Sequence, residues 1–152
     1  MRELTIHVPR AGRSGVLHEI GAVACLMSAH QEYSTFPLAS IKHWIEPALQ
    51  VDQLAVFYAR NNPVGYITWA FLAPDVEERW INDAYAMLHY SEWNEGENCW
   101  VMDFFAKGNY CHDVLYYARD RLFANLDIVR SLRRNPDGSI RKISQWKSRT
   151  KA

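Results

Sequence analysis

Trp100-Val101-Met102-Asp103-Phe104-Phe105-Ala106, followed by Lys107-Gly108-Asn109 and a helix that opens near Cys111, reads as a strand, a short loop and a helix. Almost every side chain in the run is apolar, so both faces of the strand call for cover. Asp103 interrupts it. An ionised carboxylate in such a place costs on the order of several kcal/mol unless it is paired. Asp103 therefore either meets a cationic or hydrogen-bonding partner or holds its proton to a raised pKa. Both outcomes mark a site.

Working outward, residues 110–123 carry Val114, Leu115, Ala118 and Leu122 at helical spacing. Two last strands, 126–132 and 140–146, flank the turn residues Asn135-Pro136-Asp137-Gly138. Upstream, 53–60 and 64–72 read as a β-hairpin around Asn61-Asn62-Pro63. Pro74-Asp75 then opens a helix with Val76, Trp80, Ile81, Ala84 and Leu88 on one face, and Asp75, Glu77 and Glu78 sit in its first turn, where the helix dipole favours them. Residues 15–28 form a helix, 28–34 a polar loop, and a second helix starts at Pro37 and runs to near Leu49. Residues 1–14, charged and holding Pro9 and Gly12, read as a loose arm, with one domain over 15–152. The sum is an α/β (α+β) domain with a mixed, mostly antiparallel sheet of about five strands flanked by helices.

The 152 residues suit one core, and 49% hydrophobic with 22% charged residues is a globular composition. A net charge of zero gives no global field for nucleic acid. The end from Arg130 to Lys151 is locally basic, with eight Lys and Arg against Asp137, and could meet an acidic partner. Three cysteines without CxxC spacing argue against a disulfide framework or a zinc site, and no metal is expected. With no apolar signal region and no run long enough to span a membrane, the expectation is a cytoplasmic protein.

Six histidines are present, and a lone histidine is more often a surface or structural residue than a catalytic one. His30 is the best placed, in the polar loop between two helices and close to Ser28. Paired with Asp103 it would make the arrangement in which a buried carboxylate orients an imidazole and stabilises its protonated form. Separately, the loop Lys107-Gly108-Asn109 at the start of a helix could offer backbone N–H groups to a phosphate, as on a phosphopantetheine arm. A single glycine there is more often simple turn chemistry.

Several stretches resemble the toxin-activating lysine acyltransferases, the haemolysin-activator family that fatty-acylates RTX protoxins. They are Ile20-Gly21-Ala22-Val23-Ala24-Cys25-Leu26-Met27-Ser28-Ala29-His30, Phe36-Pro37-Leu38, Ile45-Glu46-Pro47-Ala48-Leu49, the block from Tyr58 to Ala70 that contains NNPVGYITWA, and Trp100 to Ala106. The similarity covers about residues 17–146.

The resemblance implies a fold similar to the GCN5-related N-acetyltransferases (GNAT-like) and a homodimer. It implies an acyl-acyl carrier protein as co-substrate, with no bound cofactor. The acyl chain would pass to the ε-amino group of internal lysines of a protoxin. The family's required histidine falls on His30 and its aspartate on Asp103. Its serine maps onto Ser28 only with a gap, because Ser-Pro-x-His is contracted here to Ser-Ala-His, so Ser28 enters as catalytic support. Lys107, Gly108 and Asn109 would form the acyl-donor loop, and the basic C-terminal end, with Arg119 and Arg121, the face for an acidic carrier. His30 acts as general base in a direct attack, an acyl-His30 intermediate being the competing route. The same transfer onto another polypeptide, and a non-catalytic module that binds carrier or client, are the alternatives. A small-molecule N-acetyltransferase is weakened by the single glycine at Gly108.

Overall fold

A computed structural model describes residues 1–10 and 15–147. Its centre is one sheet of six strands in the order β1-β2-β3-β4-β5-β6: Thr5–His7, Leu54–Ala59, Asn62–Leu72, Asn98–Ala106, Val129–Arg134 and Ile140–Trp146. All neighbours are antiparallel except β4 and β5. The architecture is the mixed, mostly antiparallel α/β sheet expected, with six strands instead of about five.

The additional strand is β1, which lies in the segment expected to be a loose arm. It pairs with β2 from Thr5 opposite Tyr58 to His7 opposite Val56, and Leu4 beside it is buried. Arg2 anchors the start of the chain. Its guanidinium donates to the carboxylate of Asp113 at 3.1 Å and to the carbonyl of Asn109, and it lies 3.9 Å from the Tyr110 ring centroid. Charge in the first residues marks docking here, not looseness. Part of the expected arm, residues 11–14, lies outside the described residues.

Strands β2 to β4 are apolar on both faces because helices cover both. Helices α1 (Val16–Ser28), α2 (Glu46–Gln50) and α3 (Pro74–Asn82) share one core with Val56, Tyr66 and Trp100. Helix α4 (Cys111–Tyr117) shares the other with Phe57, Ile67 and Val101.

Two helices depart from expectation for local reasons. The helix beginning after Pro37 passes through a π turn, Ile41–Ile45, in which the Glu46 amide reaches back to the carbonyl of Ile41. Pro47 has no N–H, and its ring would crowd the carbonyl of His43 in a regular helix, so the looser turn absorbs it. The helix expected through Leu88 ends at Asn82. Beyond it the Asp83 carboxylate accepts the Tyr85 amide at 2.9 Å, a local bond that competes with continued helix. Arg134 then caps the helix end, donating to the carbonyls of Trp80 and Ile81 at 2.9 and 3.0 Å. Residues 83–88 thus become a loop that lies over the sheet.

Two features of β4 set up the site. Thr68 pairs with Asp103 but Trp69 with Val101, so Met102 is an extra residue, a β-bulge. The alternation of faces slips by one at that point. Trp100 and Met102 pack into the first core and Val101 into the second, yet Asp103 and Phe105 also lie on the first. In addition, β4 pairs with β5 only from Cys99–Val101 to Val129–Ser131. Among the described strands, the outer edge of β4 from Met102 onward is left open.

Candidate active site

Asp103 is held by two phenols. Tyr33, in the turn Tyr33–Thr35 after α1, donates to Oδ1 at 2.7 Å, and Tyr66 of β3 donates to Oδ2 at 2.6 Å. Burial pushes the Asp103 carboxyl up, opposed by the two phenol bonds and by the Phe104 amide. Both tyrosines are pushed well above their ordinary range, first by burial and then by the charge of Asp103, so they remain donors.

His30 stands beside this pair but is not hydrogen-bonded to Asp103. Its ring meets Tyr33 and Phe105 edge to face, each at 5.3 Å between centroids. The Glu32 amide donates to His30 Nδ1 at 3.3 Å. The direct His30–Asp103 bond read from the sequence is thus replaced by a chain of contact through Tyr33. The phenols of Tyr33 and Tyr66 and the Phe104 amide are the groups that hold the carboxylate instead.

The remaining expected residues sit apart from this cluster. Ser28 is exposed and turns its hydroxyl back onto the carbonyl of Cys25 at 3.0 Å. Lys107, Gly108 and Asn109 are exposed. The Lys107 amide is spent on the carbonyl of Val64 at 2.8 Å, and the Asn109 carbonyl is held by Arg2. Of the basic face, Arg119 is engaged by the neighbouring Asp120 at 2.8 and 2.6 Å, and Arg149 and Lys151 lie outside the described residues.

A cavity of about 500 Å³ opens beside Asp103. Met102, Trp80, Trp93, Trp44, Phe36 and Leu88 supply apolar wall; Thr68 and Asp103 supply its polar edge on the sheet. Gln53 fixes the loop that carries Trp93, bonding the carbonyls of Trp69 and Trp93 at 2.8 Å each. The Thr68 hydroxyl and the indole N–H groups of Trp80 and Trp93 are buried without a hydrogen-bond partner. Among the described residues no lysine or arginine lines the wall, and no three His, Cys, Asp or Glu side chains gather to hold a metal ion.

Sequence reasoning missed Tyr33, Tyr66 and Thr68. A signal existed for Tyr66: a phenol in a strand buried on both faces needs an acceptor, and Asp103 in another such strand needs donors. Each answers the other. Tyr33, three residues past His30, gave no such sign.

A base candidate, a buried carboxylate and an apolar cavity beside them suit group transfer more than simple binding, and comparison with known proteins agrees. The sequence profile of the RTX toxin acyltransferase family matches residues 13–147, and the chain belongs to that family. It is 30% identical to an uncharacterized protein of Synechocystis sp. over 122 residues, covering 78% of this chain and 81% of that protein. It is 25% identical to the protein-lysine myristoyltransferase RtxC of Kingella kingae, covering 86% and 77%. It is 24% identical to the protein-lysine myristoyltransferase HlyC of Escherichia coli, covering 88% and 77%. No described helix is long and apolar enough to cross a membrane.

Proposed function

We propose that this protein transfers a fatty acyl group from acyl-acyl carrier protein to the ε-amino group of internal lysines of a polypeptide, an RTX-type protoxin being the foremost client. The observation that carries this reading is the cluster of His30, Tyr33 and Asp103 beside an apolar cavity. Membership of the acyltransferase family and the relatives named as protein-lysine myristoyltransferases support it.

The chemistry requires a base, because a lysine amine with a pKa near ~10.4 is almost wholly protonated at neutral pH. The Glu32 amide donates to His30 Nδ1 over 3.3 Å. His30 takes the proton that the amine must lose, and gives up that long bond where Nδ1 is the nitrogen protonated. The ammonium first releases one proton to solvent; the amine then attacks the thioester carbonyl, forming the C–N bond as His30 takes a second proton from the nitrogen, and collapse of the tetrahedral adduct breaks the C–S bond. The proton held by His30 passes to the departing thiolate. Asp103, negative and close by through Tyr33, stabilises the imidazolium while it lasts.

For the donor, the open outer edge of β4 from Met102 offers backbone groups that an extended phosphopantetheine arm can pair with, in the manner of an added strand. For the carrier, Arg133 and Lys142 face each other across β5 and β6, an unfavourable like-charge pair that an acidic partner relieves.

The test is incubation with carrier protein loaded with a tetradecanoyl chain and a candidate protoxin, read by intact mass. One acyl mass added per modified lysine is expected, with none for His30→Ala or Asp103→Ala. Thioester left intact, with no mass gain on any client, would remove the reading.

A further inference from the structure

We propose that the cavity beside Asp103 is the seat of the donor's acyl chain and that the Thr68 hydroxyl receives the thioester carbonyl at its head. The inference rests on the acyltransferase reading and deepens it, by giving the chain a place and the carbonyl a donor.

Three observations carry it. The first is size and lining. At roughly 30 Å³ for each water-sized group, a cavity of about 500 Å³ suits a chain of on the order of ten carbons or more, and an acetyl group would leave it nearly empty. Its wall is mostly aromatic and aliphatic, with Glu32, His43, Thr68 and Asp103 as polar groups and, among the described residues, no lysine or arginine to hold the phosphates of a coenzyme. The second is the rim, where Phe36, Trp44, Tyr85 and Met87 are exposed, Tyr85 to 90%. These large apolar groups stand in water at the cavity wall, and a chain entering past them is where their burial is recovered.

The third is Thr68. It is 0% exposed, lies directly opposite Asp103 in the sheet register, and its Oγ1 has no hydrogen-bond partner. A buried hydroxyl without a partner costs free energy that native structures rarely leave uncompensated. Thr68 lines the cavity beside the Asp103 carboxylate. That negative charge disfavours a free fatty acid and admits a neutral thioester. A carbonyl oxygen at this end accepts the hydroxyl's proton in a hydrogen bond, which strengthens as negative charge gathers on the oxygen during attack.

The experiment uses the full chain and neutral S-acyl-N-acetylcysteamine thioesters bearing acetyl, octanoyl or tetradecanoyl groups, followed by the emission of the tryptophans in the cavity wall. Acetyl should give no change. Octanoyl should bind, and each added pair of methylenes should tighten binding about tenfold until the cavity is full. Ala86→Phe, a substitution on the half-exposed loop over the cavity, should weaken tetradecanoyl binding about tenfold or more and favour shorter chains. Thr68→Val keeps the side-chain shape. It should weaken the thioester about threefold to tenfold while leaving the thioether analogue, which has no carbonyl, unchanged. Thermal melts confirm that both variants fold.

Equal responses to acetyl and tetradecanoyl, long-chain binding untouched by Ala86→Phe, or displacement of the chain by a lysine peptide would each overturn the proposal. Saturable chain binding in a protein that acylates no lysine would leave the cavity assignment standing and remove the transferase reading. Lysine acylation indifferent to chain length would do the reverse.

Discussion

Tyr33 donates its phenol proton to Asp103 Oδ1 at 2.7 Å across seventy residues of sequence, and the same ring stands edge-on to His30 at 5.3 Å. One side chain thus links the two residues that the proposed chemistry uses. With Tyr66 on the second oxygen, the carboxylate is held in place while His30 remains free to meet substrate.

Removing either phenol strips a donor from a buried charge. Tyr33→Phe and Tyr66→Phe should each cost about 1.5–3 kcal/mol at neutral pH, the range for hydrogen bonds to charged groups, seen as a lower denaturant midpoint. The loss should shrink at acid pH, where a protonated Asp103 no longer needs both donors. Tyr33→Phe should also lower turnover more than Tyr66→Phe, because the bond it removes is the one that joins Asp103 to the ring packed on His30.

Asp103 is held at a cost to stability. Its folded pKa lies above the ordinary value, so its contribution is most favourable below the unfolded carboxylate pKa and is lost as pH rises through the folded pKa. Asp103→Asn should therefore match the parent protein in acid and be the more stable of the two at pH 7. Acyl transfer should fall about 10²–10⁴-fold in the same variant. Unfolding curves between pH 3 and 8, set beside transfer rates, check both halves; a less stable variant at neutral pH would show that Asp103 is structural.

His30 packs as well as standing as the proposed base. His30→Ala removes the ring between Tyr33 and Phe105, whereas His30→Phe keeps both edge contacts. Transfer should be lost in both, while His30→Phe should melt within a few degrees of the parent and His30→Ala lower, by about 0.5–1.5 kcal/mol. Activity surviving in the phenylalanine variant would end the general-base role.

Two glycines near the site should respond oppositely. A Cβ on Gly65 would stand 2.7 Å from the carbonyl oxygen of Phe105, while one on Gly108 meets nothing within 4 Å. Gly65→Ala should cost about 1–3 kcal/mol and depress transfer by moving Phe105 off His30. Gly108→Ala should stay within about 0.5 kcal/mol of the parent and keep its backbone N–H. Thermal melts of the two variants decide the matter directly.

The proposed carrier face has its own signature. Reversing charge at Arg133 and Lys142, which face each other on β5 and β6, should raise KM for an acidic carrier several-fold and flatten its dependence on salt, with kcat little changed. A change in kcat with KM constant would place the carrier elsewhere.

Much of this was legible in the sequence because it is local. The apolar runs of β2 to β4, the turn at Asn135-Pro136-Asp137-Gly138, the helix spacing of Ile20, Val23, Ala24 and Met27, and the strand-loop-helix after Trp100 follow from side-chain periodicity and turn chemistry. The residues of the family blocks, with His30 and Asp103 at their places, were equally readable. What periodicity could not supply was the face on which Asp103 lies. Strict alternation sends it to the side of Val101, and the bulge at Met102 reverses that, placing it with His30, Thr68 and the cavity. A bulge depends on how β3 and β4 register against each other, a pairing between distant segments. The two phenols on Asp103 and the docking of Arg2 on Asp113 are long-range in the same way. Local pattern is enough to set a carboxylate in this apolar strand, whereas the groups that hold it come from segments that meet only when the chain has folded.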